Sequence, residues 1–161
     1  MKIIEYNSKY ENDAKELLVE LEEYILTIDE DNLDQLHPDY KDKMLSLDLE
    51  EAYKNEGICY LAIEDNHAVG LVIGAILPYD EFDYLDYKCP RRGNVTELIV
   101  SSKMRGKKVG KLLMDKIEEY FKSKDCSYVL IDVFAYNKNA IDFYGSRNYH
   151  PRMYVDIKKL D

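Results

Sequence analysis

Lys103, Arg105, Lys107, Lys108 and Lys111 fall within nine consecutive positions of a 161-residue chain whose formal net charge is −10. They form a positive island against an acidic background. A strand-like run, Val95 to Val100, leads into the island, Gly106 and Gly110 lie inside it, and apolar residues at helical spacing follow it. Strand, glycine-bearing turn and helix in that order make an anion cradle. The first amides of a helix lack intrahelical acceptors, the helix dipole adds to their pull, and a residue without Cβ lets a diphosphate approach the backbone. A nucleotide P-loop is excluded, because three residues rather than four separate the glycines and Leu112 stands where a magnesium-binding hydroxyl is needed. No G-x-G-x-x-G occurs, which excludes a dinucleotide fingerprint.

Acidic and aromatic residues are interleaved elsewhere. Asp80, Glu81, Asp83 and Asp86 alternate with Tyr79, Phe82, Tyr84 and Tyr87, and Asp29, Glu30, Asp31 and Asp34 follow the first helical stretch. Carboxylates beside aromatic faces attract a cationic amine, each cation–π contact adding roughly 0.5–2 kcal/mol, although the same residues also suit a solvated loop. Cys59, Cys89 and Cys126 are odd in number and show no metal-ligand spacing, and His37, His67 and His150 are scattered, so no metal site is expected. The acidic balance argues against nucleic acid as a partner.

Together these motifs resemble the GNAT superfamily of N-acetyltransferases. The family's acetyl-CoA signature, Arg/Gln-x-x-Gly-x-Gly/Ala, reads here as Arg105-Gly106-Lys107-Lys108-Val109-Gly110, with Lys108 where a glycine is usual. Val129 to Tyr144 is similar to the family's strand followed by Asn-x-x-Ala-x-x-Phe/Leu-Tyr, carried by Asn137, Ala140, Phe143 and Tyr144; the closing Gly-Phe is here Asn148-Tyr149. The resemblance covers the C-terminal half closely and the N-terminal half by its pattern of elements. It implies direct attack of a primary amine, on a small cationic molecule or a peptide, upon the thioester of acetyl-CoA. The thioester must be polarised, the ammonium must lose a proton and the departing thiolate must gain one.

By resemblance, Leu98, Ile99 and Val100 pair with the pantetheine arm, and Arg105, Gly106, Lys107, Lys108, Val109, Gly110 and Lys111 border the pyrophosphate. Asn137 binds the arm and Tyr144 is the general acid. Seven residues is about two helical turns, so these two side chains share a face. Glu97, on the strand that lines the thioester, is the candidate base, with water or another carboxylate left open. Simple alternation puts Val95, Glu97 and Ile99 on one side of the strand, and a bulge is needed for Glu97 to change faces. In the family, loops at the positions of the two acidic stretches border the acceptor, and homodimerisation through the last strands is compatible with the fold. The rival readings are a noncatalytic CoA-binding regulatory module of the same fold and a binder of ATP or phosphopeptides.

The elements that must position these residues follow from pattern. The length fits one domain, 1–161, the longest apolar run is about half of a membrane span, and the first residues lack a signal peptide's apolar core, so a cytoplasmic protein is expected. Lys2–Tyr6 reads as a strand, and Ser8 with Glu11 as a capping box before a helix whose apolar positions run from Tyr10 to Ile25. A helical region Leu33–Lys54 is interrupted near His37-Pro38, and Ile58–Glu64 with Val69–Leu77 makes a hairpin around Asp65-Asn66-His67. After the connection Pro78–Arg92 come a strand Asn94–Val100 and a helix Lys107–Lys124, with Val109, Leu112, Leu113, Ile117, Tyr120 and Phe121 on one stripe. A strand Cys126–Phe134, a helix Asn137–Arg147 and a last strand Met153–Lys159 complete the chain. This order suits an α+β fold of mixed α/β kind: a single curved, mostly antiparallel sheet of about six to seven strands with helices on both faces, matching the GNAT fold.

Overall fold

The computed structural model describes residues 1–160. Among them five strands make one sheet, in the order β1 (Lys2–Glu5), β2 (Ile58–Glu64), β3 (His67–Ala75), β4 (Arg92–Val100) and β5 (Tyr128–Ile131). The first four are antiparallel neighbours and β5 runs parallel to β4. The helices are α1 (Glu11–Ile28), α2 (Tyr40–Lys54), the single turn α3 (Asp83–Asp86), α4 (Val109–Ser123) and α5 (Lys138–Gly145). The mixed α/β class expected from the pattern is therefore present, with fewer strands. No helix among the described residues is long and apolar enough to cross a membrane.

Each face of the sheet carries its own core. Ala14, Leu17 and Leu18 of α1 and Leu45 and Leu49 of α2 pack with Leu61, Leu71, Ile73 and Ile99. On the other face Val109, Leu113, Met114, Ile117 and Phe121 of α4 and Tyr144 of α5 pack with Tyr60, Ala62, Val72 and Val95. Leu112, expected on the α4 stripe, is exposed. The helix approaches the sheet closely because β4 carries Gly93, where a Cβ would lie 2.4 Å from Cγ of the Phe121 ring. Arg147 fixes the end of α5 to α4, its guanidinium donating to Asp115 at 2.8 Å and to Glu118 at 3.0 Å, while the Tyr149 hydroxyl donates to the same Glu118 carboxylate at 3.0 Å.

Several local expectations give way to tertiary or loop chemistry. The capping box is replaced by Asn7, whose side-chain oxygen accepts from the Lys9 amide at 2.9 Å and opens a 3-10 turn, Ser8–Tyr10, ahead of α1. The region 29–39 is not helical: the Asp29 carboxylate accepts the amides of Asp31, Leu33 and Asp34, and α2 starts only after Pro38. Asp65 and Asn66, with φ of 48° and 62°, supply the two left-handed residues of a tight hairpin turn. The expected strand Met153–Lys159 takes no regular form, and every residue from His150 to Leu160 is exposed.

The register between β3 and β4 contains the bulge that alternation demanded. Ile73 lies opposite Glu97 and Gly74 opposite Val95, so Thr96 is the extra residue. Its hydroxyl donates to the Ile73 carbonyl at 3.3 Å. Val95 consequently faces α4 while Ile99 faces α1 and α2, although both numbers are odd. Glu97, paired with Ile73, goes to the α1 and α2 side.

Candidate active site

β4 and β5 are joined only at their start, where Arg92 to Val95 face Tyr128 to Ile131. Beyond Val95 the strands part. The peptide groups of Thr96 to Val100 on the β5 side then have no strand partner among the described residues, and Leu98, Ile99 and Val100 line this open edge. β5 ends at Ile131 rather than at Phe134 for the same reason. An extended ligand with amide groups can take the place of the missing strand.

The open edge leads to the basic turn. Glu20 of α1 accepts the Ser102 amide at 2.6 Å and anchors a 3-10 turn, Ser102–Met104. Gly106 then adopts a φ of 76° with nothing within 4 Å of where a Cβ would stand. Lys108 follows at φ 64° as the residue before α4. This is the position where a glycine is usual, and the backbone explains why: a side chain in the left-handed region costs about 1–2 kcal/mol. Five buried side chains on α4, worth roughly 1.5–3 kcal/mol each, outweigh that cost. No side chain caps α4, and its first internal bond runs from the Leu112 amide to the Lys108 carbonyl. The amides of Val109, Gly110 and Lys111 are the orphan donors of the helix start. Val109 itself is buried and pins the turn. Lys111 pairs with Asp115 at 2.6 Å. These features fit a diphosphate.

Asn137 precedes α5 and its side-chain oxygen accepts the Ala140 amide at 3.1 Å, which leaves the amide N–H2 as its free end. The Tyr24 hydroxyl of α1 donates to the same oxygen at 3.4 Å, and the Tyr24 ring lies 5.2 Å from the Arg105 guanidinium. Tyr24 thus joins the basic turn to the start of α5. No motif marked it. Tyr144 is buried and meets the rings of Phe143 and Tyr149 edge-on. Burial, with the Glu97 charge, holds its phenol well above the usual range, so it keeps its proton at neutral pH.

Glu97 sits in an unusual electrostatic setting. Burial, then the charges of Asp48 and Glu22, push its carboxyl up to about 8. Asp48 is itself raised to about 6 by burial, and its Oδ2 is buried without a hydrogen-bond partner. Glu22 is raised by burial and by Asp34. Tyr40 shares the neighbourhood, its phenol held high by burial and by Glu22, Glu97 and Asp48. Sequence reasoning found Glu97 and missed the other three. Asp48 had a signal: it lies three residues after Leu45 and four before Ala52, both buried, and so belongs to the apolar stripe of α2.

The acidic stretches make hydrogen bonds within their own loops, an arrangement the solvated-loop reading allows. Asp80 accepts the Phe82 and Asp83 amides at 2.8 Å, Asp83 accepts the Asp80 amide at 3.0 Å, and the Tyr79 ring is covered by Arg92 at 3.9 Å. These groups close their own loop, as Asp29 does in the other stretch.

The family model described as acetyltransferase (GNAT) family matches residues 19–149. The chain belongs to the GNAT acetyltransferase family. The matched region of this GNAT protein contains Glu22, Tyr24, Asp48, Glu97, the basic turn, Asn137 and Tyr144, and it stops before the exposed segment 150–160. Solved structures share the fold. A tetramutant of the BH1408 protein from Bacillus halodurans is similar at TM-score 0.83 and 15% identity, over 99% of this chain and 100% of that one. The aminoglycoside N-acetyltransferase AAC(6')-Iy in complex with CoA is similar at TM-score 0.70 and 14% identity, over 99% of both chains. Glucosamine-6-phosphate N-acetyltransferase from Arabidopsis thaliana is similar at TM-score 0.65 and 20% identity, over 99% of this chain and 98% of that one.

Proposed function

We propose that this GNAT protein transfers an acetyl group from acetyl-CoA to a primary amine of a small cationic molecule or peptide, with residues 1–161 acting as one catalytic unit. The observation that carries the reading is the parting of β4 from β5 above the uncapped, basic start of α4. The open edge at Leu98, Ile99 and Val100 suits the amide-bearing pantetheine arm. The turn Arg105, Gly106, Lys107, Lys108, Val109, Gly110 and Lys111 suits the pyrophosphate, with Arg105 held by Tyr24. Asn137 offers its free amide N–H2 to the arm.

In the reaction the amine nitrogen attacks the thioester carbonyl carbon, forming the C–N bond and an oxyanion. Collapse of the oxyanion breaks the C–S bond. Glu97, exposed to the α1 and α2 side by the Thr96 bulge, takes the proton from the ammonium. Its high pKa makes it a strong base when ionised, and Asp48 and Glu22 beside it favour a positively charged acceptor. Tyr144, still protonated, supplies a proton to the departing thiolate. The nitrogen loses two protons in all, the first to Glu97 before attack and the second on collapse to the amide; the second restores the Tyr144 phenol after it has protonated the thiolate, so that one proton leaves through Glu97 and one ends on CoA.

Thermal unfolding with acetyl-CoA, CoA and ATP at matched concentrations tests the cradle, since a ligand that binds the native state raises the melting temperature. Stabilisation by both CoA ligands and not by ATP is expected, and no shift with CoA overturns the proposal. Thiol release in a screen of diamines and lysine peptides then reads turnover. Tyr144→Phe should lower kcat with little change in KM for acetyl-CoA.

A further inference from the structure

β4 and β5 part after Val95, so the strands do not hold the two walls of the cleft together there. One wall is the basic turn that follows β4, and the other is the start of α5, which follows β5. Arg147 ties α5 to α4 at the opposite end of that helix, away from Asn137.

α1 lies against both walls. Glu20 and Tyr24 stand one turn apart on the same face of this helix. Glu20 accepts the Ser102 amide at 2.6 Å and holds the turn where it leaves β4. Tyr24 reaches further. Its ring lies 5.2 Å from the Arg105 guanidinium, and its hydroxyl donates to Asn137 Oδ1 at 3.4 Å and accepts from Asn139 Nδ2 at 3.5 Å. One half-buried side chain therefore meets a cation of the turn with its ring and the cap of α5 with its hydroxyl.

Each contact fixes an orientation and leaves a ligand-binding group free. An aromatic face attracts a guanidinium without neutralising it, so Arg105 is restrained while its charge stays available to phosphate oxygens. A carboxylate partner, such as Lys111 has in Asp115, cancels charge instead. At Asn137 the side-chain oxygen accepts both the Ala140 amide and the Tyr24 hydroxyl, which fills its two acceptor sites and turns the N–H2 end away from α5.

We propose that Tyr24 is a positioning residue for the cofactor, holding Arg105 and Asn137 on the two walls of the cleft so that one CoA molecule meets both. The proposal rests on the acetyl-CoA reading of the cleft and extends it to a residue of α1.

Calorimetric titration of the full chain with CoA tests it. Tyr24→Phe keeps the ring and loses the hydroxyl, and should raise Kd about two- to fivefold; Tyr24→Leu loses both contacts and should raise it about five- to twentyfold. The losses should run through the named partners. Once Asn137 is replaced by Ala, Tyr24→Phe should cause no further loss, and once Arg105 is replaced by Ala, Leu at position 24 should bind CoA no worse than Phe. General loosening of the fold does not produce that partner-specific pattern. Tyr53→Leu, at an exposed site on α2, should bind CoA as the native protein does. Native affinity in Tyr24→Leu overturns the proposal, and so do equal losses in the single and double backgrounds. A native protein that fails to bind CoA overturns the acetyl-CoA reading and this proposal with it, so the native titration tells the two failures apart.

Discussion

Replacing Glu97 by Gln perturbs stability and catalysis at once, and the stability change follows from the raised pKa of the buried carboxyl. The Glu97 carboxyl moves from an ordinary 4.5 to about 8 on folding, because burial and then the charges of Asp48 and Glu22 disfavour its ionised form. A group whose folded pKa is raised contributes stability that is fully present below the unfolded value and is lost as pH rises through the folded value. For Glu97 the loss therefore spans the window from about pH 4.5 to about pH 8. At 1.36 kcal/mol per pKa unit the ceiling is roughly 4–5 kcal/mol, and solvent relaxation around a side chain that is not fully enclosed reduces it to about 2 kcal/mol. Gln has the same shape and no charge to bury. Urea unfolding at about pH 5 and about pH 9 should then show the variant gaining about 2 kcal/mol over the native protein between the two conditions. The same substitution should cost catalysis most at and above about pH 8, where the native carboxyl is ionised, and the deficit should narrow at lower pH, where Glu97 is itself protonated. A stability difference that is equal at both pH values refutes the burial argument. An unchanged pH–rate profile removes Glu97 as the base.

Asp48→Asn removes one of the charges that raise Glu97, so the ascending limb of kcat/KM should move to lower pH. Burial, the larger cause, keeps the limb above that of an ordinary carboxylate, and a limb that stays in place contradicts the coupling. Lys108→Gly should raise stability by about 0.5–1 kcal/mol, because relief of the left-handed backbone exceeds the added chain entropy. The same change should weaken CoA binding, measured by calorimetry, by deleting a charge from the cradle.

Local chemistry was legible in the sequence because it is written over short distances. The glycine turn, the α4 stripe and the Asn137 to Tyr144 spacing each lie within one or two helical turns, so periodicity and backbone sterics alone define them. The Asp65-Asn66 hairpin was legible for the same reason. Even the need for a bulge near Glu97 could be stated in advance from alternation, although not where the extra residue falls.

What depended on packing was out of reach. The Thr96 bulge forms where β3 and β4 must cover different helices along one strand, and the parting of β4 from β5 depends on how far two distant segments remain in register. Glu22, Tyr40, Asp48 and Glu97 come from α1, the start of α2, its middle and β4, and no spacing along the chain announces their meeting. The final segment shows the reverse case. Its alternation specifies a strand, but a strand needs a neighbour to accept its backbone hydrogen bonds, and among the described residues none pairs with it. The sequence by itself determined the basic, glycine-bearing turn, the helix faces and the side-chain types available for chemistry. Only the tertiary structure decided which carboxylates share one buried neighbourhood and which strand edge stays open, because burial and charge coupling are properties of groups brought together from far apart.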